Sequence, residues 1–139
     1  MKRFKLSVAA LTLTGLIFIV IGMYFIFLRP PFLPGDSRYI GTTLAAINDA
    51  IPGLSGWITK VFWVMGGYIL TTGLLFAYVA NTSFQKQMKG VFSLVTIAGI
   101  LSIGLMTIVN FIIDSDFKWT LLASTLPWII ALILYKFNK

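Results

Sequence analysis

Four helices crossing a membrane as a bundle, with a short amphipathic helix in the first outer loop, form the all-α, integral membrane architecture that this 139-residue chain encodes. Three observations lead there. Hydrophobic residues make up 58% of the chain and charged residues only 11%, against about 25% charged in an ordinary soluble domain. The charges gather at the ends of four apolar runs. The longest run, Leu6 to Leu28, carries no charge. As a helix it reaches about 35 Å, beyond the roughly 30 Å of bilayer hydrocarbon. The length suits a single membrane domain over residues 1–139.

The first span is residues 6–28. A signal peptide shares the basic start Met1-Lys2-Arg3-Phe4-Lys5, but its apolar core is about 7–15 residues and ends at a small-residue cleavage site. This run is longer and ends in Leu28-Arg29-Pro30-Pro31, which predicts an uncleaved span. In the outer loop, residues 29–60, Pro30 and Pro31 stop the helix and Pro34-Gly35 predicts a turn. Thr42 or Thr43 then caps a short helix in which Leu44, Ile47 and Ile51 recur at helical spacing, closed by Pro52-Gly53. Trp57 and Trp63 belong near the interface. The second span, residues 61–80, follows Lys60, and the third is residues 91–113. The fourth, residues 119–135, is at the lower limit of length for crossing and is interrupted by Pro127. Snorkelling of Lys118 and Lys136 lengthens it, and an interfacial or re-entrant segment is the alternative.

Orientation follows from the basic residues. The N-terminus, the 81–90 loop and the C-terminus carry Lys2, Arg3, Lys5, Lys86, Lys89, Lys136 and Lys139. The opposite side carries Arg29, Arg38, Lys60 and Lys118. The richer side is cytoplasmic, so a multi-pass protein of the cytoplasmic (inner) cell membrane is expected, with N- and C-termini inside. All four carboxylate side chains, Asp36, Asp49, Asp114 and Asp116, then fall outside.

Lipid tails are as apolar as leucine, so small residues that let backbones approach must hold such helices together. Gly15 and Gly22 share one face of the first span; Gly66, Gly73, Ala77 and Ala80 share one face of the second. On the third, Gly99 and Gly104 lie in a broader arc with Ser93, Thr96, Thr107 and Asn110. These read as packing seams within the bundle, with an oligomerisation face as the alternative. The hydroxyls and Asn110 could line a polar pathway, but hydrogen bonds to neighbouring helices or to their own backbone are the simpler reading.

Several chemistries are excluded or disfavoured. With no Cys, no His and no Glu, the chain has no thiol nucleophile, no His-based proton shuttle or metal ligand, and no membrane-embedded glutamate of the kind on which small multidrug transporters depend. No ionisable residue lies inside a predicted span, whereas ion-coupled transporters normally keep them there. The net charge of +7 is accounted for by the positive-inside distribution, so no nucleic acid is expected; Lys2, Arg3 and Lys5 form only a small patch for anionic lipid. Asp114 and Asp116 are too few oxygens for a hard-cation site, and no metal or cofactor is expected. A Ser-Lys dyad of Ser37 or Ser55 with Lys60, or Asp36 or Asp114 as a base, would be the remaining catalytic routes, and nothing marks them.

The outer loop carries a resemblance. Arg29-Pro30-Pro31-Phe32-Leu33-Pro34-Gly35-Asp36-Ser37-Arg38-Tyr39-Ile40-Gly41, together with Ala50-Ile51-Pro52-Gly53-Leu54 and Val61-Phe62-Trp63-Val64-Met65-Gly66-Gly67, resembles small bacterial four-span membrane proteins of uncharacterised function. The likeness covers roughly residues 20–80, with Gly35 where that pattern has an acidic residue. It implies topology and no activity.

Arg29, Arg38 and Tyr39 are the candidate contacts for an anion or lipid headgroup, since arginine suits bidentate phosphate recognition. The alternative is that Asp36 and Arg38 pair with each other or with the 114–118 loop. Asn110 is the deepest strongly polar side chain. The expected function is that of a structural, accessory or interaction protein, not an enzyme, with membrane lipid and a membrane-protein partner or a second copy of itself as partners. A passive transporter, or a lipid- or anion-binding protein using the outer loop and third helix, is the alternative.

Overall fold

The pattern of apolar runs becomes seven helices in the computed structural model, which describes residues 2–137; Lys139, and the side chains of Lys2 and Arg3, which entered the charge count, lie outside what is described. Among the described residues there is no strand. In order come α1 (Lys2–Phe27), α2 (Pro34–Ile40), α3 (Leu44–Ala50), α4 (Leu54–Val79) running on into a π-helical turn (Ala80–Phe84), α5 (Val91–Gly99), a second π turn (Ile100–Gly104), α6 (Leu105–Ile112) and α7 (Lys118–Lys136). The stretches Lys5–Phe27, Leu54–Phe84, Val91–Ile112 and Lys118–Lys136 are long and apolar enough to cross a membrane.

Three boundaries differ from the sequence expectation. Pro34-Gly35 opens a helix rather than a turn, because proline at the first helical position needs no N–H partner and Asp36, two positions on, accepts the Leu33 N–H at 2.8 Å. The second long helix begins at Leu54, seven residues before the expected span, since nothing after Pro52-Gly53 breaks it: Gly56 alone costs only ~1 kcal/mol against alanine. Finally, α7 passes through Pro127 without a break. Nearby hydroxyls bond within the helix, Thr125 Oγ1 to the Leu122 carbonyl at 2.7 Å and Ser124 Oγ to the Thr120 carbonyl at 2.8 Å. The next residue, Trp128, is pinned to α5 by donating to the Val95 carbonyl at 3.1 Å.

The closest helix pair is α1 with α4. Gly15 faces Gly73 and Ala77, and Gly22 faces Gly66 and Leu70, so the two helices run antiparallel. A methyl group on Gly15 would stand 2.7 Å from the Gly73 oxygen and the Ala77 nitrogen; one on Gly66 would stand 2.8 Å from the Gly22 oxygen. Both glycine pairs are seven residues apart, two near-complete turns, so they recur on one face. On its other side α1 packs along α7, where buried Ser7 donates to the Ala131 carbonyl at 2.7 Å. At the end of the bundle that carries the termini, the centre is filled by Leu11, Phe76, Phe84, Val91, Val95 and Tyr135. The Tyr135 ring lies 4.4 Å from that of Phe84 and 5.6 Å from that of Phe92.

The π turn between α5 and α6 changes which faces meet. Buried positions run Val91, Val95, Gly99, Ile103 and Thr107, in steps of four. Two α-helical turns take about 7.2 residues, and the wider π turn absorbs the surplus. Gly99 faces α7 so closely that a methyl group would overlap the Trp128 indole. Gly104, placed in the same broad arc by the sequence, meets no neighbouring helix: a methyl group there would meet only the Gly99 carbonyl oxygen, at 3.5 Å. It does not form part of a helix-packing seam.

Replacing Gly73 by Leu or Ala must therefore push two backbones apart. Gly73→Ala is expected to lower stability in detergent by about 1–3 kcal/mol and Gly73→Leu by more, while Gly104→Ala should leave the thermal midpoint level or raise it. Equal midpoints for Gly73→Leu and the parent chain would refute the close-approach account.

Candidate functional site

The loop after α1 is organised by one carboxylate. Asp36 Oδ2 accepts the Leu33 backbone N–H at 2.8 Å and lies 3.2 Å from the Arg29 guanidinium. Arg29 also donates to the Pro30 carbonyl at 3.0 Å. Its Cζ stands 3.6 Å from the centre of the Phe62 ring and 5.3 Å from that of Phe25, an arrangement that favours a cation over each face. The pair is largely removed from solvent, with side-chain exposures of 10% for Arg29 and 20% for Asp36. Burial draws the Arg29 guanidinium below its ordinary value, against the opposing pull of Asp36; it stays charged, as arginine does in proteins. Arg29 thus ties the end of α1 to the start of α2 and to α4.

A second set of charges joins α2 to the α6–α7 connection. Arg38 donates to Asp116 Oδ1 at 2.7 Å and reaches the Asp114 carbonyl at 3.4 Å. Lys118 donates to the Asp114 carboxylate. Asp114 has a left-handed backbone (φ 52°) and ends α6 in a Schellman turn: its own N–H bonds to the Phe111 carbonyl and that of Ser115 to the Asn110 carbonyl at 2.9 Å. The Arg38–Asp116 pair is half exposed. The hydrogen bond and charge of Lys118 hold the Asp114 carboxyl below the ordinary carboxylate range. Its contribution to stability is therefore present above that range and is lost only as pH falls through the lowered value.

Under this paired roof lies a cavity of about 300 Å³ between α1, α6 and α7. These are helices of which α1 and α6 hardly touch each other directly. Its walls are mostly apolar, with Ile21 and Phe25 from α1, Met106 from α6 and Ile113 just after it, and Leu121 from α7; Arg29 and Asp36 stand at the top. Asn110 and Ser124 also line it, but each donates to a carbonyl of its own helix, Met106 at 2.9 Å and Thr120 at 2.8 Å. Toward the termini end the bundle is closed by the packed aromatic and aliphatic core.

The sequence-derived candidates divide accordingly. Arg29 lines the cavity but is spent on Asp36 and two rings. Arg38 is spent on Asp116, the expected pairing with the 114–118 loop, while Asp36 pairs with Arg29 and not with Arg38. Tyr39, 62% exposed, borders a separate shallow hollow with Phe32, Ile40 and Phe62. Asn110 lines the cavity, bonded to its own helix rather than across to another. Thr96 likewise bonds back to the Phe92 carbonyl at 2.8 Å, whereas the buried Thr107 hydroxyl has no hydrogen-bond partner. Missed at the sequence level were the Arg29–Asp36 bond and the cavity. The Leu-Pro-Gly-Asp start of α2, with proline first and aspartate third, was the available signal for the former.

Removing the carboxylate in Asp36→Ala leaves a mostly buried guanidinium without its partner and should cost about 2–3 kcal/mol. Arg38→Ala, which breaks an exposed pair, should leave the midpoint of thermal unfolding in detergent almost unchanged. The opposite ranking would show that Asp36 does not organise the loop.

Compared with family models, with curated proteins and with solved structures, the chain finds no match in any of the three.

Proposed function

We propose that the chain is a four-span protein of the cytoplasmic membrane, with both termini inside, that works as an accessory or interaction protein through its outer face and has no catalytic role of its own. The membrane reading is supported by the bundle's exterior, where Leu74, Leu75, Tyr78, Leu101, Ile108, Ile112 and Ile133 are all exposed. On water such a surface would aggregate. In this reading residues 29–60 lie outside, and α3 rests its Ile47 side on the bundle while Leu44 and Ile51 meet the headgroup layer.

The observation that carries the accessory role is the economy of the outer charges. Arg29, Asp36, Arg38, Asp114, Asp116 and Lys118 are all committed to one another. Facing outward beside that framework, with the exposed Asp49, are Tyr39 at 62% exposure, Ile40, and Trp57 at 64%. Aromatic residues held on a rigid, internally paired loop suit protein contact. The cavity favours one second reading, lipid binding. Anion capture by Arg29 and Arg38 is less well supported because both are paired, and passive transport because the termini end of the bundle is filled.

Two measurements test this. The chain has no cysteine of its own, so Ser37→Cys should react with an impermeant thiol reagent in intact spheroplasts while Ser83→Cys should not; reversed labelling would invert the topology. Purified in mild detergent from native membranes, the 15.4 kDa protomer should carry a stoichiometric protein partner, lost in a Tyr39→Ala, Trp57→Ala double variant. A particle holding only lipid would remove the accessory role and leave the second reading.

A further inference from the structure

The cavity beneath the roof has the dimensions and position of a seat for one hydrocarbon chain. We propose that it holds a single acyl chain of a bilayer lipid from the outer leaflet, admitted through the flank of the bundle; this rests on the membrane reading and gives the lipid-binding alternative its ligand. Size comes first. A cavity of about 150 Å³ in a protein interior accommodates benzene, so about 300 Å³ has room for roughly a dozen carbon atoms.

Depth agrees with size. Val20 lies nine residues before Arg29 along α1, about 13 Å, and Ser124 six residues after Lys118 along α7, about 9 Å. Both fall within one leaflet, whose hydrocarbon is about 15 Å thick. The cavity is bordered by Val20, which is 67% exposed, and by the exposed Phe117 and Thr120. Its mouth is therefore lateral, toward lipid, and its roof is closed by Leu33 and the Arg29–Asp36 pair.

The lining selects the class of ligand. The Asn110 amide and the Ser124 hydroxyl donate to their own helix and leave the cavity acceptor lone pairs set among Ile21, Phe25, Met106, Ile113 and Leu121, a lining that favours hydrocarbon. A phosphate would need a cation, yet Arg29 is held by Asp36 and two aromatic rings. What is recognised is the chain rather than the headgroup, which stays at the mouth among Phe117, Thr120 and the lipid surface.

The test is photolabelling in phosphatidylcholine vesicles doped with a phosphatidylcholine that bears a diazirine at the end of one acyl chain. Adducts are then mapped by mass spectrometry. Adducts are expected at Met106 and Leu121 inside the cavity and at Leu74 and Ile108 on the exterior. Ser124→Phe and, separately, Ser124→Trp place a ring in the cavity and should abolish the first set while sparing the second, which also shows that the variants are folded and inserted. Exterior labelling without cavity labelling in the parent chain overturns the acyl-chain seat and leaves the membrane reading intact. Cavity labelling that persists in both filled variants overturns it as well. No labelling at either set overturns the membrane reading and the seat together. Free diazirine fatty acid, run in parallel, separates sources: labelling by it alone would mean a fatty acid and overturn the bilayer-lipid assignment.

Discussion

Everything in this bundle is hung from the meeting of two backbones. Gly15 against Gly73 and Gly22 against Gly66 let α1 and α4 approach until carbonyl oxygens lie where a methyl group would otherwise be. In the membrane placement proposed above, area burial offers little preference for helix over lipid, so dispersion at close range must supply the association. That contact fixes the antiparallel pair. The pair then offers α1's opposite side to α7, and α7 in turn holds α5 through Trp128 over Gly99. The aromatic cluster of Phe84, Phe92 and Tyr135 fills the space where these helices converge near the termini. Toward the loop end the rings of Phe62, Phe25, Tyr24 and Phe117 also meet in series, but α1, α6 and α7 enclose a cavity beside them.

The loop after α1 follows a different physical rule. Its connections are made by charges, and their worth depends on how far they are from water. Arg29 and Asp36, screened by Phe25 and Phe62, act as a structural bond between α1, α2 and α4. Arg38 with Asp116, out in solvent, merely biases the loop toward the α6–α7 turn. The roof is thus firm on one side and yielding on the other, and the yielding side lies above the α7 wall of the cavity.

Much of the helical framework was legible from composition and periodicity, because a charge-free run of twenty or so apolar residues has few other fates. The glycines on α1 and α4 were legible for the same reason: Gly15 and Gly22, Gly66 and Gly73 fall seven apart, and helical geometry alone puts each pair on one face. The reading failed at Gly104, because five residues at about 100° each already set it about 140° from Gly99. It failed also at α2, where proline was read for its power to end structure and not for its fitness to begin it. The site was the least legible part. Arg29 and Asp36 could be named, but whether an arginine near a headgroup meets a phosphate or a neighbouring carboxylate depends on a fold of the loop seven residues long. A cavity is a property of side chains from three distant segments and leaves no trace in any one of them.

The π turn at Ile100–Gly104 has a consequence for how such a protein can change over generations. It divides one membrane-length helix into two segments whose rotational settings are independent. Losing a single residue there would restore a regular helix and turn the outer segment by about 100° relative to the inner one. Val91, Val95 and Gly99 would keep their places against α7 and the aromatic cluster, while Met106 and Asn110 would swing away from the cavity. The inner half can therefore be conserved as scaffold while the outer half is re-aimed by one deletion, a coarse dial for altering the wall of the cavity without rebuilding the bundle that supports it.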